Sequence, residues 1–122
     1  MAERVRVAAP HGLRVFNAGI ENYVQSLQVG VSGLSGWVVN VAPDLVARIG
    51  ELVASGQVVE ALALQSRLEV VEKEMGATYP ASAKAIVDAR SDAGLGLRSR
   101  WRPAEVDPAL AADLAVRLDA LV

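Results

Sequence analysis

An α/β front joined to a helical tail is the architecture expected of this chain. Two short apolar runs, at residues 13–18 and 33–41, bracket a segment of helical periodicity with short joints between. From Pro43 onward the punctuation is that of successive helices. Apolar residues make up 52% of the 122 positions and aromatics only 4%, which suits helices packed closely through Ala, Val and Leu.

Leu13 to Ala18 form the first strand-like run, closed by Gly19. Ile20, Val24 and Leu27 then recur at helical spacing, so a short helix is expected over residues 20–29. Gly30 stands where a helix C-terminus needs a left-handed residue. Between Gly33 and Val41, the residues Leu34, Trp37, Val38, Val39 and Val41 fall on both phases of a strand. Such a run fits a strand covered on both faces, as in a parallel sheet. Strand, helix and strand make a βαβ unit. Two parallel strands cannot by themselves hide both faces, so the front reads as the end of a larger wound structure.

Behind it, Pro43 suits a first helical turn and Asp44 complements the helix dipole. Leu45, Ile49, Leu52 and Val53 make one stripe, stopped by Gly56. Ala61, Leu64, Leu68, Val71 and Met75 recur by threes and fours, a narrow seam for packing on another helix, closed by Gly76. Pro80 opens a helix with Ala83, Ile86 and Val87 inward, ending near Gly94. Residues 94–106 form a loop rich in Gly and Arg. Asp107-Pro108 is an N-cap and first-position pair, and Leu110, Leu114, Leu118 and Leu121 make the last stripe.

Composition excludes several functions. A net charge of −2 gives no general attraction to nucleic acid or to an anionic membrane. The absence of cysteine rules out disulfides, thiolate chemistry and Cys-based zinc sites. His11, the one histidine, rules out a multi-His metal site. The first residues lack the apolar core of a signal peptide, and no stretch approaches the roughly 18–20 apolar residues of a membrane span. A cytoplasmic location is expected, with neither nucleic acid nor membrane as a partner.

Five motifs stand in a particular order: Val15-Phe16-Asn17-Ala18-Gly19, Gly30-Val31-Ser32-Gly33, Asn40-Val41-Ala42-Pro43, Gly56 with Ala61 and Leu64, and Pro80 with Lys84. Arg100 follows, before the last helix. This order resembles the dihydrodipicolinate synthase and N-acetylneuraminate lyase family of class I pyruvate aldolases, from about residue 13 to the end. The resemblance implies the last two βα units of a TIM (β/α)8 barrel plus a C-terminal three-helix extension. Residues 1–42 would be partial barrel, with strands near 13–18 and 33–41 and a helix between. Residues 43–122 would be a barrel helix and the extension. A complete barrel takes about 250 residues.

Members of that family work on pyruvate-type substrates through a Schiff base. Their lysine is on the sixth strand, a tyrosine on an earlier strand assists proton transfer, and a Thr/Ser pair early in the barrel holds the carboxylate. None of these positions falls in this chain, so the resemblance assigns no catalytic residue and implies inactivity alone. Lys73 and Lys84, the two lysines, fall in the helical tail. Three substrate-binding positions do carry over. Gly19 lines the pocket through its backbone, Ser35 takes the place of a common Ile whose carbonyl faces the pyruvyl group, and Gly36 replaces a common Ser. No cofactor or metal is implied. The implied partners are a pyruvate-type small molecule, if the barrel is completed, and either further copies in a homo-oligomer or a complementing half-barrel.

Other residues have plainer readings. Lys84 follows two small residues on an apolar-faced helix, where a surface lysine is expected. His11, between Pro10 and Gly12, belongs to a turn. Glu21 and Asn22 serve equally well to touch substrate or to cap the short helix. Arg98, Arg100 and Arg102 around Trp101 superficially resemble a phosphate-and-base patch, but an arginine loop paired with carboxylates or helix ends suits the acidic chain better. Glu69, Glu72, Lys73 and Glu74 read as a solvated face, and Asn40 as a turn or capping residue before Pro43. From a different class stands a small helical protein-interaction module without catalysis, whose Ala61–Met75 seam binds a partner helix.

Overall fold

The computed structural model describes residues 1–101 and 105–122. The chain opens with α1 (Ala2–Ala8) and a 3-10 turn (Ala9–His11). Strand β1 (Phe16–Asn17), a 3-10 turn (Ile20–Asn22), α2 (Tyr23–Gln28) and β2 (Gly33–Leu34) follow. After a further 3-10 turn (Trp37–Asn40) come α3 (Pro43–Ala54), α4 (Val58–Gly76), α5 (Ala81–Arg90) and α6 (Pro108–Asp119).

The two strands pair in parallel, Phe16 against Gly33 and Asn17 against Leu34. Both are shorter than their apolar runs. In the second run the chain leaves the strand after Leu34 and coils into the 3-10 turn. The physical reason is a change of period. Val38 and Val41 are buried three residues apart, which is one 3-10 turn, whereas a strand would have buried alternate residues. Helix α1 answers no expectation from the sequence. Glu3 and Arg6 pair across one turn, and none of its residues is fully buried.

Gly30 ends α2 as expected, with φ 91°. Its N–H donates to the Leu27 carbonyl and that of Val31 to the Ser26 carbonyl, 3.0 Å each. Gly56, with φ 81°, closes α3 in the same way, the Gln57 N–H reaching the Leu52 carbonyl at 2.8 Å. These paired bonds satisfy the last carbonyls of each helix and need a left-handed residue at the turn. At α6, the Asp107 side chain accepts the Ala109 N–H at 2.9 Å, the expected N-cap.

Helix α3 packs on α4 and α5 on α6. One core runs through both pairs, with Ile49, Leu68, Met75, Ile86, Leu114 and Leu118 each fully buried. The α4 seam is Ala61, Gln65, Leu68, Val71 and Met75, so Gln65 stands where Leu64 was expected. The seam is filled by this chain's own helices, which removes it as an exposed site for a partner helix. Arg90 ties the layers together: it donates to Asp119 at 2.8 Å, to the Val41 carbonyl, and to Asp44 at 3.5 Å. Among the described residues no helix is long and apolar enough to cross a membrane.

Candidate active site at the strand ends

Because β1 and β2 are parallel, both deliver the chain to the same end of the sheet. At that end Asn17 organises the turn. It is 6% exposed; its amide nitrogen donates to Asn22 Oδ1 and, at 2.8 Å, to Ser26 Oγ. Its carbonyl oxygen Oδ1 accepts the N–H groups of Ala18 at 2.8 Å and Gly19 at 3.3 Å. Asn22 is thus a partner of Asn17; it caps no helix with its side chain.

Gln65, 3% exposed on α4, ties this turn to the helical tail. Its Oε1 accepts the Val24 N–H at 2.8 Å, and its Nε2 donates to the Glu21 carbonyl at 3.0 Å and to Glu69 Oε1 at 2.9 Å. About two turns further along the same helix, Glu72 Oε2 accepts the Val38 N–H at 2.8 Å. The expected solvated face is therefore half-buried and employed. Glu72 holds the turn at Val38 and Glu69 holds the Gln65 amide, while Glu74 makes a two-pronged pair with Arg117 at 3.1 Å on each arm. Of the four residues only Lys73 is exposed.

These turns and α4 border an open pocket of about 410 Å³ lined by Ile20, Glu21, Trp37, Glu69, Glu72, Lys73 and Gly76. Its aromatic wall is the Trp37 indole, stacked on Tyr79 with ring centroids 4.4 Å apart and planes within 9°. Tyr79 in turn accepts the Asn40 amide at 3.0 Å, so Asn40 acts on Tyr79 and the start of α3 has no side-chain cap. The polar groups suit hydroxyls or amines of a small molecule, and the indole face suits its carbon skeleton. Among the described residues no cluster of three His, Asp or Glu side chains could hold a metal ion.

Burial pushes the Glu72 carboxyl above the usual carboxylate range and the negative charge of Glu21 adds to that, while the Val38 N–H opposes it. Folded Glu72 thus holds its proton more tightly than unfolded Glu72. Stability is lost as pH rises from the ordinary carboxylate range through the raised value. Glu72→Gln keeps an oxygen for the Val38 N–H and removes this loss. The variant's thermal midpoint, relative to the parent, should rise across that window and then stay level. A gap independent of pH would refute the assignment.

The three sequence-derived positions follow the ends of the two strands, and none of them is among the residues that line the pocket. Gly19 is half-buried with the Glu21 carboxylate against its Cα. Ser35 is exposed, its N–H donating to the Asn17 carbonyl at 2.7 Å. Gly36 leaves no room for a side chain. A Cβ there would lie 2.9 Å from the Ala18 carbonyl oxygen and 3.6 Å from Glu72 Oε2. Gly36→Ala should therefore cost about 1–3 kcal/mol, measurable by thermal denaturation; an unchanged midpoint would show that the strand ends separate freely.

Elsewhere, Lys84 Nζ donates to the Arg98 carbonyl, far along the chain from the strand ends. Arg98 and Arg100 make no ion pair among the described residues, so the expected arginine pairing is not seen there, and Arg102 lies outside the described residues. Trp37, Gln65 and Glu72 were missed as site residues. Gln65 was legible only as an uncharged polar residue next to an apolar seam position; nothing in the sequence set Glu72 apart from its charged neighbours.

A parallel strand pair with polar groups gathered beyond its C-terminal ends is the local plan of an α/β barrel. The fold matches a partial segment of a TIM-barrel aldolase. The structure is similar to that of Ruminococcus gnavus sialic acid aldolase, with a TM-score of 0.82 at 19% identity over 99% of this chain and 43% of that one. A catalytic lysine mutant of the same enzyme gives a TM-score of 0.82 at 19% identity, covering 99% of this chain and 42% of that one. The chain thus spans less than half the length of the solved structures it matches. No family model matches the sequence, and no curated protein matches it.

Proposed function

We propose that this chain is the C-terminal segment of a Schiff-base aldolase or lyase of the dihydrodipicolinate synthase and N-acetylneuraminate lyase family, acting in the cytoplasm on pyruvate-type substrates. The observation that carries this is the likeness in fold to sialic acid aldolase, which extends over 99% of the chain. The motifs from Val15 to Pro43 support it independently. In this reading residues 1–42 are partial barrel and residues 43–122 supply a barrel helix and a three-helix extension, so that the seventh and eighth βα units end with that barrel helix.

The division of labour follows from what the chain holds. A Schiff base needs a lysine whose amine is neutral and aimed at the substrate ketone. Lys84 is occupied with the Arg98 carbonyl, and Lys73, although it lines the pocket, is exposed on α4, without the burial that would favour a neutral amine. The lysine, tyrosine and carboxylate-binding pair therefore come from barrel strands outside this chain. The chain contributes main-chain groups at Gly19, Ser35 and Gly36 to the pyruvyl end. The cavity beside Trp37 and Glu72 receives the remainder of the substrate. No cofactor is required.

A chimera tests this reading. The matched segment of the Ruminococcus gnavus enzyme is replaced by this chain, and pyruvate-dependent cleavage and condensation are assayed over a panel of aldehydes. Activity above that of the same chimera lacking its catalytic lysine supports the proposal. A folded chimera with no activity and no pyruvate adduct contradicts it.

A further inference from the structure

We propose that the groove between α4 and the C-terminal end of α6 binds a small amphiphilic monocarboxylate. Its apolar body lies along Val70, Val71 and Leu121, and Arg67 holds its carboxylate. The site does not rest on the aldolase reading and is separate from the strand-end pocket. At 3.6 residues per turn, Arg67, Val70 and Val71 fall on the side of α4 opposite Glu69, Glu72 and Gly76, and the two pockets share no lining residue. The groove has a volume of about 350 Å³, a size that suits a small molecule. Val71, in the core, is its floor, and Val70, 48% exposed, is one wall. Ala120 and Leu121 face them from the end of α6. A second pocket of about 420 Å³ adjoins it, sharing Arg67, Ala120 and Leu121 and reaching Leu52 on α3, so Arg67 stands at the junction.

Charge selects the ligand. The two pockets are lined by Arg48, Arg67 and Arg117 against a single carboxylate, Glu60, in a chain whose net charge is −2. Two of these arginines are already committed: Arg48 pairs with Glu51 at 3.2 Å, and Arg117 with Glu74 at 3.1 Å and Asp113 at 3.3 Å. The Arg67 side chain makes no ion pair among the described residues. Its planar fork is therefore open to a carboxylate, which a guanidinium grips with two parallel hydrogen bonds. Glu60 lies two turns before Arg67 on the same side of α4 and repels a second negative charge, which favours a monocarboxylate over a dicarboxylate. The apolar walls beside Arg67 favour a hydrocarbon body over a free inorganic anion.

The test titrates the chain with butanoate, hexanoate and octanoate and follows its amide signals by nuclear magnetic resonance. Saturable shifts are expected at Val70, Val71, Ala120 and Leu121, with affinity rising about fourfold for each added methylene. Octan-1-ol and octylammonium, which carry the same body without the anion, should bind at least about tenfold more weakly than octanoate. Arg67 is exposed, so Arg67→Gln should keep the helical circular dichroism while weakening octanoate by about tenfold. Val70→Asp sets a like charge in the wall and should abolish binding. The proposal is overturned if no saturable shifts appear at these residues, if octanol binds as well as octanoate, or if binding is indifferent to Arg67→Gln. Sedimentation provides the remaining outcome: a dimer that Val70→Asp dissociates would show that a second copy of the chain fills the groove, and would overturn the small-molecule site.

Discussion

Leu68→Ala is expected to lower the unfolding free energy by about 2–5 kcal/mol, the range for deleting a fully buried leucine. Leu68 is 0% exposed and belongs to the continuous core shared by the helical tail and the strand-end turns. Its removal loses both the transfer energy of the missing carbons and the contacts around the cavity left behind. For a domain whose whole stability is of the order of 5–15 kcal/mol, that is a large fraction. Urea unfolding followed by circular dichroism measures it. A loss below about 1 kcal/mol would mean that α4 does not sit against the core.

The second large effect belongs to Gln65. Gln65→Leu keeps the bulk and removes the bonds to the Val24 N–H, the Glu21 carbonyl and Glu69. Val24 is 1% exposed, so its N–H is left without water or a partner. A buried unsatisfied group costs about 1–3 kcal/mol, and the Glu21 carbonyl loses its donor as well. A total of about 2–4 kcal/mol is expected. Faster hydrogen exchange at Val24 should accompany it. Gln65→Glu separates the two halves of the side chain, since it retains an acceptor for Val24 but can no longer donate as an amide, and it sets a second carboxylate beside Glu69. A Gln65→Leu protein as stable as the parent would show that α4 does not hold the strand-end turn in place.

The helical tail was largely legible because its boundaries depend on local chemistry. Gly30 and Gly56 take the positive φ their turns need, and Asp107 caps α6 through its own side chain. The strands were less legible because strand length depends on neighbours. With one partner each, β1 and β2 pair over two residues, and the run from Trp37 buries its valines by coiling instead. The cavity was the least legible part. Its polar groups come from α4 and from turns more than thirty residues away in sequence, as in the Glu72 contact with Val38, and spacing carries no trace of such a meeting. Gly36 is intermediate: it was singled out by resemblance, but its close approach to the Ala18 carbonyl is a fact of three dimensions.

The most direct measurement of the central claim is borohydride reduction of the isolated chain in the presence of pyruvate, followed by mass spectrometry of its peptides. If the Schiff-base lysine comes from outside this chain, the mass stays unchanged and neither Lys73 nor Lys84 is modified. A stable pyruvate adduct on either lysine would contradict the account, by placing the nucleophile in the helical tail.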